Sequence, residues 1–192
     1  METFAGRFAL IRPLGEGGMG DVHLARDLES GETIALKRLN GRLKGAEPET
    51  LRNEFETLTR VRHPVIVAVH ELAVASDGTP YLSMEYVPGV PSDQAGLAGD
   101  WPGLVFVAAE VARGLEALHL ARVVHGDVKP SNLLVLRDQA GGPPAGVRLL
   151  DFGLAGLLDR DRPGHTGTPG FQAPEVVQGS APSAASDLYG LG

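Results

Sequence analysis

A chain of 192 residues with 43% hydrophobic content can bury a core and holds one domain or two small lobes. A formal charge of −7 offers no basic surface to nucleic acid or anionic membrane, and the absence of cysteine excludes disulfides and thiolate metal sites. The sequence carries no secretory leader, no run of membrane-spanning length and no zinc-type histidine pattern, so the expectation is a cytoplasmic segment without a membrane span.

The first informative stretch is Gly15-Glu16-Gly17-Gly18-Met19-Gly20-Asp21-Val22, which fits a glycine-rich phosphate loop. Glycine lets the backbone approach phosphate oxygens closely. In a chain with 26 glycines the match is weak alone, and its flanks decide the reading. A dinucleotide-binding turn runs into a helix, whereas Asp21–Arg26 alternates as a strand does, which predicts a hairpin flap. Ile34–Leu39 reads as the next strand, after a turn at Ser30-Gly31. Lys37 lies inside this apolar run, either as an edge-strand lysine in solvent or as a lysine aimed at nucleotide phosphates. The second role needs a carboxylate partner. A helix-compatible segment over residues 48–61, opened by Pro48 and carrying Leu51, Phe55 and Leu58 at helical spacing, offers Glu54 and Glu56.

Tyr81–Gly89 reads as a strand ending in a Pro-Gly turn, and residues 91–100 as a loop. Leu104, Val107, Val111, Leu115 and Leu118 share one face of a helix predicted over 102–121, with Trp101 packing at its start. His119 and His125 are read as structural. The segment His125-Gly126-Asp127-Val128-Lys129-Pro130-Ser131-Asn132, followed by Asp151-Phe152-Gly153, then places a carboxylate, an amine, an amide and a second carboxylate in an order that suits phosphoryl transfer. Asp127 is suited to take a proton from an attacking hydroxyl, and Lys129 to neutralise the moving group. Asn132 and Asp151 offer the hard oxygens that Mg²⁺ prefers. Such a reaction needs mostly positioning and charge neutralisation. Strands are predicted over 133–136 and 147–150, around a Gly- and Pro-rich loop at 137–146.

In this order the motifs resemble the eukaryotic-like protein kinases, of the Ser/Thr type common in bacteria, from about Phe8 to the last residue. The resemblance implies an α+β, two-lobed protein-kinase-like fold. Residues 1–87 would form the small lobe, an antiparallel sheet plus one helix with the Gly-rich loop and the hinge. Residues 88–192 would form a mainly helical, incomplete large lobe with the catalytic loop and activation segment. ATP and Mg²⁺ are the implied cofactors, and a protein bearing a Ser or Thr acceptor is the implied partner. Gly15, Gly17 and Gly20 would cover the phosphates. Lys37, held by Glu54, would orient them. Asn132 and Asp151 would hold Mg²⁺, and Asp127 and Lys129 would act on the acceptor and the transferring group. Met84 takes the gatekeeper position, and the backbones of Glu85 and Val87 would meet the adenine edge. Val22 and Ala35 would roof the adenine ring above Leu134. Gly167-Thr168-Pro169-Gly170-Phe171-Gln172-Ala173-Pro174-Glu175 is similar to the end of a Ser/Thr kinase activation segment, with Thr168 near Asp127 and Lys129. Ser186–Gly192 resembles the start of the large lobe's central helix, where Asp187 would brace the catalytic loop.

Two departures stand out. Most protein kinases carry Arg where this chain has Gly126, and that arginine pairs with a phosphate on the activation segment, so this form of switching is not expected here. His-Gly-Asp also resembles aminoglycoside and choline phosphotransferases, a rival that Lys129, Asp151-Phe152-Gly153 and Ala173-Pro174-Glu175 disfavour. The resemblance breaks off inside the central helix of the large lobe, so the chain is expected to be a piece of a longer product. A pseudokinase, binding nucleotide without catalysis, is the non-enzyme alternative. It is disfavoured because each catalytic residue type is present.

Overall fold

The structure, a computed structural model, describes residues 2–17, 20–39, 59, 61–137, 142–151, 168 and 170–192. The fold is α+β, in two compact units: Met1–Thr59 with Ala68–Val87, and Arg60–Val67 with Pro88–Gly192.

The first unit is built on a six-stranded antiparallel sheet. Its strands are β1 (Thr3–Phe4), β2 (Phe8–Gly17), β3 (Gly20–Asp27), β4 (Thr33–Leu39), β5 (Val69–Val74) and β6 (Pro80–Glu85), in the order β1-β2-β3-β4-β6-β5. The period-two alternation of the sequence sorts the side chains onto two faces. One face carries Phe8, Leu10, Ala25, Ile34, Leu36 and Tyr81, which close a core with Phe4 and Ala75. Tyr81 is its hub, meeting the rings of Phe4 and Phe8 edge-on at centroid distances of 5.5 and 5.4 Å. Arg7 closes the edge of this core: its guanidinium stacks on Phe8, forms a two-pronged pair with Asp27 at 2.7 and 2.9 Å, and reaches Glu71 at 2.9 Å. The Arg7 side-chain hydrogen bond holds the Asp27 carboxyl well below its usual range.

In the second unit, β7 (Val90–Pro91), β8 (Leu133–Leu136) and β9 (Gly146–Leu149) form a small antiparallel sheet. The segment before Ala68 joins it, with Ile66 bridging Leu149 in parallel fashion through Leu149 N–H to Val65 O and Val67 N–H to Leu149 O. Three helices accompany the sheet among the described residues: α1 (Trp101–Leu120), α2 (Pro174–Val177) and α3 (Ala184–Leu191). Asp100 caps α1 by accepting the Gly103 N–H at 3.0 Å. Ser183 and Ser186 cap α3 reciprocally, each side chain accepting the other's backbone N–H. Helix α1 packs on β9 and α3 through Val107, Val111, Leu115 and Leu118.

The sequence reading placed Leu104 on this buried stripe and Trp101 in the packing. Both are exposed, Trp101 at 73%. Gly103 is buried a turn before Val107, but Leu104 beside it is not covered, and Trp101 lies off the stripe on the helical wheel. The loop expected over 91–100 begins with the last residue of β7. Of the helix expected over 48–61, residues 48–58, with Glu54, and residue 60 lie outside the described residues, and Thr59 is helical; Phe152, Gly153 and Gly167 also lie outside them.

Helix α1 ends in a paired cap. Val123 N–H bonds Leu118 O and Arg122 N–H bonds His119 O, both at 2.9 Å, with Arg122 at φ +60°. Glycine is the usual residue there because a Cβ strains the left-handed conformation. Arg122 is exposed, so Arg122→Gly should stabilise the second unit by about 1 kcal/mol. Urea denaturation measures this, and an unchanged or lower midpoint would show that the arginine side chain is worth more than the strain.

Candidate active site

The candidate residues lie in both units. In the first, β2 and β3 run as one hairpin with Gly15 opposite Val22 and Gly17 opposite Gly20, so the glycine-rich stretch is the flap its flanks predict. The register breaks twice along β2, between Leu10 and Arg12 and between Pro13 and Gly15. Gly20 is required by the neighbouring strand: a Cβ there would fall 1.8 Å from the Arg38 carbonyl oxygen, at φ +141°. Among the described residues a Cβ on Gly15 would meet nothing within 4 Å.

The register of β3, β4 and β6 places Val22 opposite Lys37, Leu24 opposite Ala35, Ala35 opposite Met84 and Lys37 opposite Leu82. Directly opposed residues in an antiparallel pair share a face. Val22, Ala35, Lys37, Leu82 and Met84 therefore lie on the face opposite the Tyr81 core. Lys37 is 4% exposed, which removes the solvent-pointing alternative. Glu85 ends β6 with its N–H engaged by Ala68 O at 2.9 Å, and Val87 lies past the strand end.

In the second unit the catalytic-loop residues are tied to one another. Four donors converge on the Asp127 carboxylate. The Thr168 N–H and hydroxyl reach Oδ1 at 2.9 and 3.1 Å, Lys129 Nζ reaches Oδ2 at 2.6 Å, and Asn132 Nδ2 lies 3.2 Å from Oδ2. Lys129 also donates to the Thr168 hydroxyl, so Asp127, Lys129 and Thr168 close a ring of hydrogen bonds. The Asn132 amide nitrogen donates to the Asp127 carbonyl at 2.8 Å, which fixes the amide and leaves its oxygen as the ligand atom to present. Leu134 follows in β8, opposite Pro91 and Arg148.

Asp151 is placed by the residue before it. Leu150 donates its N–H to Asn132 O at 2.9 Å and accepts His125 Nε2–H at 2.8 Å. The end of β9 is thereby fastened to the catalytic loop, and Asp151 leaves it at φ +58°, a region that Asp tolerates better than most residues. One amide oxygen and one carboxylate are a suitable protein contribution to Mg²⁺, which takes its remaining ligands from water and phosphate.

His125 and Asp187 hold this arrangement from behind. His125 is fully buried, its Nδ1 accepting the Asp127 N–H at 3.2 Å, so the ring proton sits on Nε2. Burial pushes its pKa down from the ordinary 6.5, against the smaller opposing pull of Asp187. Asp187, 1% exposed, accepts the N–H groups of His125 and Gly126 at 2.8 Å each and meets His119 Nε2 at 2.8 Å. Gly126 has φ +80°, where a side chain is strained. The contact of His119 with Asp187 was not legible in the sequence, because 68 residues separate them and no motif links the two.

Among the described residues no helix is long and apolar enough to cross a membrane, and no group of three or more His, Cys, Asp or Glu gathers as a metal site.

A glycine-rich hairpin, a buried strand lysine and an Asp-Lys-Asn loop backed by a second Asp define a kinase-type catalytic domain. Residues 8–192 match the protein kinase domain family, and the chain belongs to it. It is 36% identical, over 98% of its length, to the DNA damage-responsive serine/threonine-protein kinase RqkA of Deinococcus radiodurans, and 34% identical, over its full length, to serine/threonine-protein kinase pkn3 of Myxococcus xanthus. It spans only 29% and 37% of those two proteins. The crystal structure of the Mycobacterium tuberculosis PknI kinase domain superposes with a TM-score of 0.71 at 30% identity, covering 99% of this chain and 72% of that one.

The His125 geometry sets a pH dependence. A histidine kept neutral in the fold and ordinary in the unfolded chain contributes stability above about pH 6.5, and loses it as pH falls toward the lowered folded value. The His125 ring resonances should therefore show no titration step between about pH 6 and 7, and the second unit should weaken on acidification below that window. A normal titration midpoint in the NMR pH series would contradict the lowering of the His125 pKa by burial.

Proposed function

We propose that the protein transfers the γ-phosphoryl group of ATP to Ser or Thr hydroxyls of protein substrates. The observation that carries this is the Asp127–Lys129–Thr168 ring. It holds a carboxylate where an acceptor hydroxyl can be oriented and deprotonated, with an ammonium beside it for the transferring group. Thr168 belongs to the segment ending at Ala173-Pro174-Glu175, and its part in the ring favours a protein acceptor over a small-molecule one. Lys37 would contact the α- and β-phosphates with Glu54 as its partner, beneath the hairpin of Gly15, Gly17 and Gly20. Val22, Ala35 and Leu134 would line the adenine, and the backbones of Glu85 and Val87 would meet its edge. Asn132 and Asp151 would hold Mg²⁺, which when bound neutralises phosphate charge. Asp127 then accepts the hydroxyl proton at its carboxylate, while Lys129 compensates the negative charge carried across.

Incubating the protein with labelled ATP, Mg²⁺ and a mixture of Ser/Thr peptides tests the reading directly. Asp127→Asn should keep nucleotide affinity and lower turnover by about 10²–10⁴-fold, because an amide cannot take the proton. A fall of less than about tenfold would remove Asp127 as the base. Lys37→Met should abolish most turnover through lost charge and misplaced phosphates. Wild-type transfer by that variant would sink its assignment.

A further inference from the structure

The two limbs of the glycine hairpin are held differently. Limb β3 stays paired with β4 in unbroken register, from Arg26 opposite Thr33 to Gly20 opposite Leu39. Limb β2 has broken register with β3 twice by the time it reaches Gly15. Near the tip the limbs are joined by the pairs Gly15–Val22, Glu16–Asp21 and Gly17–Gly20. Only the middle pair brings two charged side chains together, and both are carboxylates. Like charges directly opposed across two strands destabilise the pairing. The neighbour of Asp21 on its other side is Arg38 of β4, whose Nε donates to Asp21 Oδ2 at 2.7 Å. This is the outermost side-chain pair of the β3–β4 ladder, because Gly20 beyond it has no side chain. The Arg38 guanidinium lies 5.8 Å from the centroid of the Phe4 ring, which backs it from the core. Glu2 stands further off, its Oε1 3.9 Å from Arg38 Nη1, and His23 Nδ1 lies 2.9 Å from Asp21 Oδ2.

We propose that Arg38 is a positioning residue for the nucleotide: its guanidinium offsets the Asp21 charge and so lets the Glu16 limb close onto the β3 limb. This rests on the kinase reading above, in which Gly15, Gly17 and Gly20 cover the phosphates. Arg38 alternates with Lys37 along β4 and so faces away from the nucleotide-bearing side of the sheet. It touches no reacting atom and acts through Asp21. A partly exposed ion pair of this kind adds little to global stability, so its effect falls on the flap.

The test compares the wild-type protein, Arg38→Gln, and Arg38→Gln combined with Glu16→Gln. Amide hydrogen exchange is measured first, without nucleotide. Arg38→Gln should speed exchange at Gly15, Glu16 and Gly17 about two- to fivefold and leave the melting temperature almost unchanged. The double variant should return toward the wild-type rate, because no like-charge pair is left. Rescue by removing a charge on the other limb is what a mere packing role of Arg38 over Phe4 would not produce. KM for Mg·ATP should follow the same pattern at nearly constant kcat. Wild-type exchange in Arg38→Gln, or a double variant as fast as Arg38→Gln alone, would overturn the proposal. So would an unchanged KM in a variant whose flap exchanges faster. If the wild-type protein transfers no phosphoryl group, the kinase reading fails on its own, and the exchange rates still uphold or refute the hold of Arg38 on the flap.

Discussion

The Asp187 carboxylate is the contact on which the catalytic loop depends. Removing a carboxylate from water costs several kcal/mol, and it is recovered only if donors surround the group. Here two backbone amides and one imidazole do so. A buried charge satisfied in this way adds little net stability, and what the contact supplies is geometry. The two amides it grips belong to consecutive residues, and the backbone turns through positive φ at Gly126 as it presents them to the one carboxylate. The direction in which the chain enters Asp127 follows from that turn.

The first unit uses a different device. No loop positions Lys37; the pleat does. Core residues occupy one face of β3, β4 and β6, packed around Tyr81, Phe4 and Phe8, and Val22, Ala35 and Lys37 occupy the other. A slip of one residue in the β3–β4 register would exchange the two faces, burying polar groups in the aromatic core and lifting the apolar ones out. The Arg7–Asp27 pair works at the edge of the same core, and its well-formed two-pronged geometry suits a partly buried site better than a loose surface pair.

What was legible in the sequence had short-range causes. Strand β8 falls on the residues that the apolar run marks, 133–136, and α1 is within a residue at each end of the 102–121 that its periodicity marks. The ring of Asp127, Lys129 and Thr168, and the brace at Asp187, could be anticipated only through the family resemblance. Nothing in local spacing says that residue 168 or 187 returns to the loop at 125–132. The buried stripe of α1 was over-read at Leu104, because periodicity gives a direction around the helix and says nothing of how far along it the neighbours extend. His119 escaped for a related reason: a histidine near a helix end has many ordinary fates, and its partner is a carboxylate on another helix.

The distance in sequence between the loop and its brace bears on the order in which the protein acquires its parts. The β2–β3 hairpin joins residues that are neighbours along the chain, and such contacts close early because little loop entropy opposes them. The backbone at His125 and Gly126 is fixed by a group 62 and 61 residues later. During synthesis, therefore, the hairpin of the first unit can pair while the Asp127 loop is still unbraced. The loop takes its fixed form only when α3 docks, so a cut anywhere between residues 126 and 187 separates the loop from the group that shapes it.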